Sequence, residues 1–64
     1  MKNPNFYIDR QFGVAIWIHV ENGIVKDIGN EREMFVNKMK EQYLGKEISF
    51  LKTDFGTDLK IKTL

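Results

Sequence analysis

Residues 14–28 read Val14-Ala15-Ile16-Trp17-Ile18-His19-Val20-Glu21-Asn22-Gly23-Ile24-Val25-Lys26-Asp27-Ile28, and the fold turns on how this stretch is paired. Val14, Ile16, Ile18 and Val20 alternate with Ala15, Trp17, His19 and Glu21, the period of two expected of a strand buried on one face. Asn22-Gly23 then gives one of the strongest short-range hairpin signals. Two registers compete. A two-residue turn sets Val20 opposite Val25 and Ile18 opposite Asp27, which places an aspartate on the core face. A three-residue loop of Glu21, Asn22 and Gly23, with the glycine as a left-handed bulge, sets Val20 opposite Ile24 and Ile16 opposite Ile28. A one-residue slip turns every side chain over, so the apolar pattern arbitrates and favours the three-residue loop. Lys26 then falls on the core face, its stem packed and its amine reaching the edge, while Val25 and Asp27 join Ala15, Trp17 and His19 outside.

Outward from this hairpin, residues 1–4 read as a short tail, with Pro4 limiting where the first strand can begin. Phe6 and Ile8 alternate with Tyr7 and Asp9, and Gly13 lies in a tight connection. Pairing Ile8 with Val14 and Phe6 with Ile16 gives an antiparallel meander of three strands. Asn30 is a suitable helix N-cap, Glu33 three residues on resembles a capping box, and Gly45 is the expected C-terminal cap. Phe35, Val36, Met39 and Tyr43 form one stripe at helical spacing. Alternation resumes at Ile48 and Phe50 and again at Leu59 and Ile61, with a turn over 54–57, so a closing hairpin is expected with Phe50 opposite Ile61 and Ile48 opposite Thr63. The expected fold is therefore a two-layer α+β domain over residues 1–64, of order β-β-β-α-β-β. One helix covers one face of a five-stranded antiparallel sheet of order 3-2-1-5-4.

Composition narrows the function classes. The 64 residues hold no cysteine and one histidine, which removes disulfides, thiolate zinc sites and multi-histidine metal sites. No cofactor is expected. A domain this small is marginally stable alone, so oligomerisation or partner binding is the natural staple. Ten basic residues against nine acidic ones leave a net charge of +1, unlike a strongly basic nucleic-acid binder. No secretory signal opens the chain, and its longest apolar run, Val14 to Ile18, is too short to span a bilayer. Cytoplasmic residence is expected. Eight lysines against two arginines, with frequent Ile, Asn and Phe, suit a low-GC bacterial or phage genome.

In the chosen registers the helix-free face of the sheet carries Tyr7, Asp9, Ala15, Trp17, His19, Val25, Asp27, Ser49, Leu51, Lys60 and Lys62. That is more apolar than a solvated face requires, and Trp and Tyr are common anchors of protein contacts. The expected function is a small non-catalytic binding protein, an accessory factor or inhibitor. It would act through Tyr7, Trp17, His19, Val25, Leu51, Lys60 and Lys62, on a partner protein or on a second copy as a homodimer. Phe12 and Phe55, at one end of the domain, plug the core or add a second contact. The alternative is a single-stranded nucleic-acid module whose aromatics stack bases while Lys60 and Lys62 hold phosphates, a reading opposed by Asp9 and Asp27 on the same face. His19 with Asp27 invites a catalytic reading, but no nucleophile accompanies them, and a chain of this size scarcely forms a pocket. Asp54-Phe55-Gly56 copies the kinase metal-binding triplet without its companion motifs, and Asp54 and Asp58 lack the spacing of a calcium loop. Both are read as turn chemistry.

Overall fold

The computed structural model describes residues 3–9, 15–30 and 36–63. Its elements are β1 (Phe6–Ile8), β2 (Ile16–Glu21), β3 (Ile24–Gly29), α1 (Asn37–Tyr43), α2 (Ile48–Phe55), a short 3-10 turn (Gly56–Asp58) and β4 (Leu59–Ile61). The strands form one four-stranded antiparallel sheet of order β3-β2-β1-β4. The fold is α+β, and both helices pack on the same sheet face: Val36, Met39 and Tyr43 from the α1 side and Leu51 from α2 meet Ile8, Ile16, Ile18, Val20, Val25 and Ile28.

The hairpin takes the two-residue turn and then shifts to a register that neither alternative contains. Asn22 and Gly23 have φ of 54° and 77°, the two positive values of a two-residue turn whose twist suits the strands. Glu21 therefore faces Ile24, and Val20 faces Val25. Between Val20 and His19 the register shifts, so that His19 faces Asp27 and Ile18 faces Ile28. Lys26 is the extra residue of this bulge, and it is exposed. The expected three-residue loop is thus incorrect, and so is the placement of Lys26 on the core face. Val25 is fully buried rather than on the outer face, because the two-residue turn brings it into phase with Val20. One inserted residue then returns Ile28 to the core and Asp27 to the outer face.

The β1–β2 pairing lies two residues further along β2 than expected: Phe6 faces Ile18 and Ile8 faces Ile16. A two-residue shift preserves faces, so Phe6 and Ile8 stay on the core side. Residues 10–14, with Phe12 and Gly13 of the expected connection, lie outside the described residues. So do residues 31–35, which include Glu33 and Phe35 and the groups that Asn30 would cap. The remaining helical stripe is as expected, with Val36, Met39 and Tyr43 all buried. Gly45 follows α1 at φ +79°.

The largest departure is at Ile48–Phe50. This is not a strand but the first turn of α2, and the closing hairpin does not form. Residues at i, i+3 and i+7 (Ile48, Leu51 and Phe55) turn toward the core, with Leu51 fully buried. Phe50, which strand alternation would bury with Ile48, is 55% exposed. Leu51 therefore leaves the outer face, and Ser49 goes with it. Gly56 ends the helix at φ +53°, and the 3-10 turn leads directly into β4. That last strand still pairs with β1 as expected, Leu59 opposite Ile8 and Ile61 opposite Phe6.

The 44–47 link between the helices is held against the outer edge of β3. Val25 N–H donates to the Lys46 carbonyl at 2.9 Å, Gly45 N–H to the Val25 carbonyl at 2.9 Å, and Ile48 N–H to the Gly23 carbonyl at 2.8 Å. At the far side of the pair, the Tyr43 hydroxyl donates to the Asp54 carboxylate, tying α1 to α2.

The phase of α2 makes a prediction. Leu51→Ala should lower stability by about 2–5 kcal/mol, as deleting a buried leucine side chain does, whereas Phe50→Ala should cost well under half of that. Urea denaturation of both variants measures the difference, and a larger loss from Phe50→Ala would restore the strand reading.

Candidate functional site

The face opposite the helices is built around Trp17, at the centre of the sheet. Cross-strand register places Tyr7 beside it on β1 and Lys60 beyond Tyr7 on β4, while on the other side its partner is Gly29. Glycine offers no side chain, so the indole leans on Tyr7: their centroids are 5.4 Å apart, tilted by 47°. Lys62 reaches over the indole with Nζ at 5.1 Å from the centroid, a cation–π contact. Both rings are half-buried by these neighbours. Five of the expected contact residues therefore share this face: Tyr7, Trp17, His19, Lys60 and Lys62. Val25 and Leu51 do not, being core residues. Phe55 is partly buried against the core on the helix side, its ring 6.2 Å from that of Tyr43.

His19 sits one step along β2 from Trp17, and both of its ring nitrogens face acceptors. Nδ1 lies 2.8 Å from the Asn3 carbonyl, and Nε2 lies 3.0 Å from Glu21 Oε1. Only the imidazolium can donate to both at once. The Asn3 carbonyl foremost, and then the Glu21 carboxylate, raise its pKa above the ordinary 6.5, against a smaller opposing effect of desolvation. Asp27 is the register partner of His19, but its Oδ1 accepts from the Ile28 N–H at 2.9 Å. The histidine–aspartate hydrogen bond that a catalytic reading would need is replaced by one to Glu21.

Asn5 is the residue that sequence reasoning missed. Its side-chain Nδ2 donates to the Val20 carbonyl at 2.9 Å, and its Oδ1 accepts from the Val20 N–H at 2.9 Å. Its own backbone N–H donates to the Ile18 carbonyl, and its carbonyl accepts from the Lys62 N–H. A carboxamide carries the same donor and acceptor as a peptide unit, so Asn5 extends the β1–β2 ladder beyond the strand. The signal was an asparagine directly ahead of an alternating run. Of the expected tail, residues 1–4, Asn3 joins the site through its carbonyl on His19.

The rim of this face carries both signs of charge. Asp27 lies on β3, His19 and Glu21 on β2, Asp9 just past β1, and Lys60 and Lys62 at and just beyond β4. On the helix side, Gln42, Tyr43, Lys46, Phe50 and Asp54 line an open cleft of about 290 Å³, with the sheet between it and His19. Among the described residues no three His, Asp or Glu side chains are grouped to hold a metal ion, and no helix is long and apolar enough to cross a membrane. The chain matches no protein-family model, no curated protein and no solved structure.

Two predictions follow from these bonds. Asn5→Ala removes both partners of the Val20 peptide and should destabilise by about 1–3 kcal/mol, read by thermal or urea unfolding. For His19 the folded pKa is raised, so its contribution is complete below pH 6.5 and is lost as pH rises through the folded value. The stability gap between the wild type and His19→Gln should therefore shrink on going from pH 5.5 toward about pH 8. A gap that widens over that range would contradict the assigned hydrogen bonds.

Proposed function

We propose that this chain is a small non-catalytic binding protein, an accessory factor or inhibitor, that docks another protein on its helix-free sheet face. The observation that supports this reading is the Tyr7–Trp17 pair at the centre of that face, rimmed by Lys60, Lys62 and His19. An aromatic centre inside a polar rim is the usual anatomy of a protein contact. With Val25 and Leu51 in the core, the large apolar side chains expected on the face reduce to the two rings. This favours a foreign partner over an obligate homodimer, whose interface is larger and more hydrophobic.

Capture from a host extract by immobilised wild type, Trp17→Glu and Lys26→Glu tests the proposal. Trp17→Glu should stay folded by circular dichroism and lose the captured partner, and Lys26→Glu, altered at the exposed bulge, should keep it. Retention by Trp17→Glu would remove the face from consideration. Sedimentation equilibrium on the same proteins separates self-contact from foreign contact: a wild-type dimer that Trp17→Glu converts to monomer would assign the face to a second copy.

The second reading is single-stranded nucleic acid, favoured by Lys62 over Trp17 and by Lys60 opposite Tyr7. Asp9, Glu21 and Asp27 would repel phosphate on the same face. The single tryptophan reports directly. Quenching of its fluorescence by oligonucleotides, weakening steeply with salt and lost in Lys60→Glu/Lys62→Glu, would overturn the protein-contact reading.

A further inference from the structure

The sheet order leaves β3 and β4 as edges, and the two differ in kind. The edge of β3 is occupied by residues 45–48 through the three backbone bonds described above and an isolated bridge between Ile24 and Glu47. β4 has no such cover among the described residues. Its bonds to β1 run through alternate residues: Asp9 N–H donates to the Asp58 carbonyl at 3.1 Å, Tyr7 faces Lys60, and Lys62 N–H donates to the Asn5 carbonyl at 2.9 Å. Leu59 and Ile61 therefore turn their peptide groups away from the sheet. The Leu59 N–H is bonded to the Gly56 carbonyl in the 3-10 turn. That leaves the Leu59 carbonyl and both groups of Ile61 as an open ladder.

The side chains along this edge specify what can pair with it. Ile61, on the helix side of the sheet, is 70% exposed, the most exposed of the large apolar residues described. Lys60 and Lys62 stand on the other side. A second copy is a poor occupant. An antiparallel pairing centred on Ile61 sets each Lys60 opposite a Lys62 of the other copy, and one centred on Lys62 sets that lysine opposite itself. Like charges directly opposed destabilise a ladder, and lysines are a common edge defence. A strand with carboxylates at the positions facing Lys60 and Lys62, and aliphatic residues between them, meets no such penalty.

We propose that β4 receives an extended acidic segment of another protein as a fifth strand. Its backbone would bond to Ile61 and the Leu59 carbonyl, its alternate carboxylates would meet Lys60 and Lys62, and an aliphatic side chain would lie against Ile61. This is strand addition at a sheet edge, in which backbone bonds supply affinity and side chains supply selection. The inference rests on the reading of this chain as a protein-binding protein, not on the face that reading favours, and it names the chemistry of the partner.

The test uses the full chain, isotope-labelled, titrated with a short peptide alternating glutamate and valine and with its lysine–valine counterpart. The glutamate peptide should slow hydrogen exchange at the Ile61 N–H and bind at least about tenfold more tightly than the lysine peptide. Added salt should narrow that ratio. Lys60→Glu/Lys62→Glu should reverse the preference. Backbone N-methylation of the glutamate peptide at alternate residues should abolish binding without touching the protein. Equal affinity for the two peptides, or binding without protection of the Ile61 N–H, would overturn the edge proposal. Shifts confined to Tyr7 and Trp17 would do so while leaving the face reading intact. Partner capture lost in Lys60→Glu/Lys62→Glu but kept in Trp17→Glu would instead sink the face and support the edge.

Discussion

One unpaired residue, Lys26, keeps the apolar faces of this sheet in phase. The Asn22-Gly23 turn imposes a two-residue hairpin, and a regular ladder behind it would carry Asp27 into the core opposite Ile18. The bulge inserts one residue into β3, so Val25 is buried on one side of it and Ile28 on the other, while Asp27 emerges beside His19. Burial of a Val, Leu or Ile side chain contributes roughly 1.5–3 kcal/mol, and the cost of burying an unpaired carboxylate is larger still. The bulge thus satisfies both the turn and the core, at the expense of one interrupted ladder position on a strand whose other edge is supported by residues 45–48.

That support also explains why both helices lie on one face. The 44–47 link is bonded to Val25, and α2 starts from a bond to Gly23. α2 therefore begins beside the hairpin on the core side and can only cross the sheet from there. Its Leu51 fills the space between α1 and the strands, and the chain then returns to the far edge as β4. Among the described residues, the opposite face receives no helix. It is finished instead by side chains: Tyr7 against Trp17, Lys62 over the indole, Asn3 and Glu21 on His19.

The two faces have different chemistry as a result. The helix side is a hydrophobic core with no buried polar or charged residue among those described. The other side joins an aromatic centre to a rim of acidic and basic groups. The lysines serve that side twice. Lys62 covers the indole, and the two lysines mark the edge whose ladder remains open among the described residues.

Much of this was legible in the sequence. The alternation of residues 16–20, the place of the hairpin at Asn22-Gly23 and the buried stripe of Val36, Met39 and Tyr43 all follow from local patterns whose physical cause lies within a few residues. The membership of Tyr7, Trp17, His19, Lys60 and Lys62 in one face follows from the same period of two, which a two-residue register shift leaves unchanged. Three features needed the tertiary structure. The bulge at Lys26 settles a conflict between turn and core that neither expresses alone. The Asn5 carboxamide finds a peptide fifteen residues away. Ile48–Phe55 satisfies alternation through Ile48 and Phe50 and helical spacing through Ile48, Leu51 and Phe55. Only the need to cover the sheet between α1 and β4, from a start pinned at Gly23, selects the helix, because that path buries Leu51 where a strand would have left it in water.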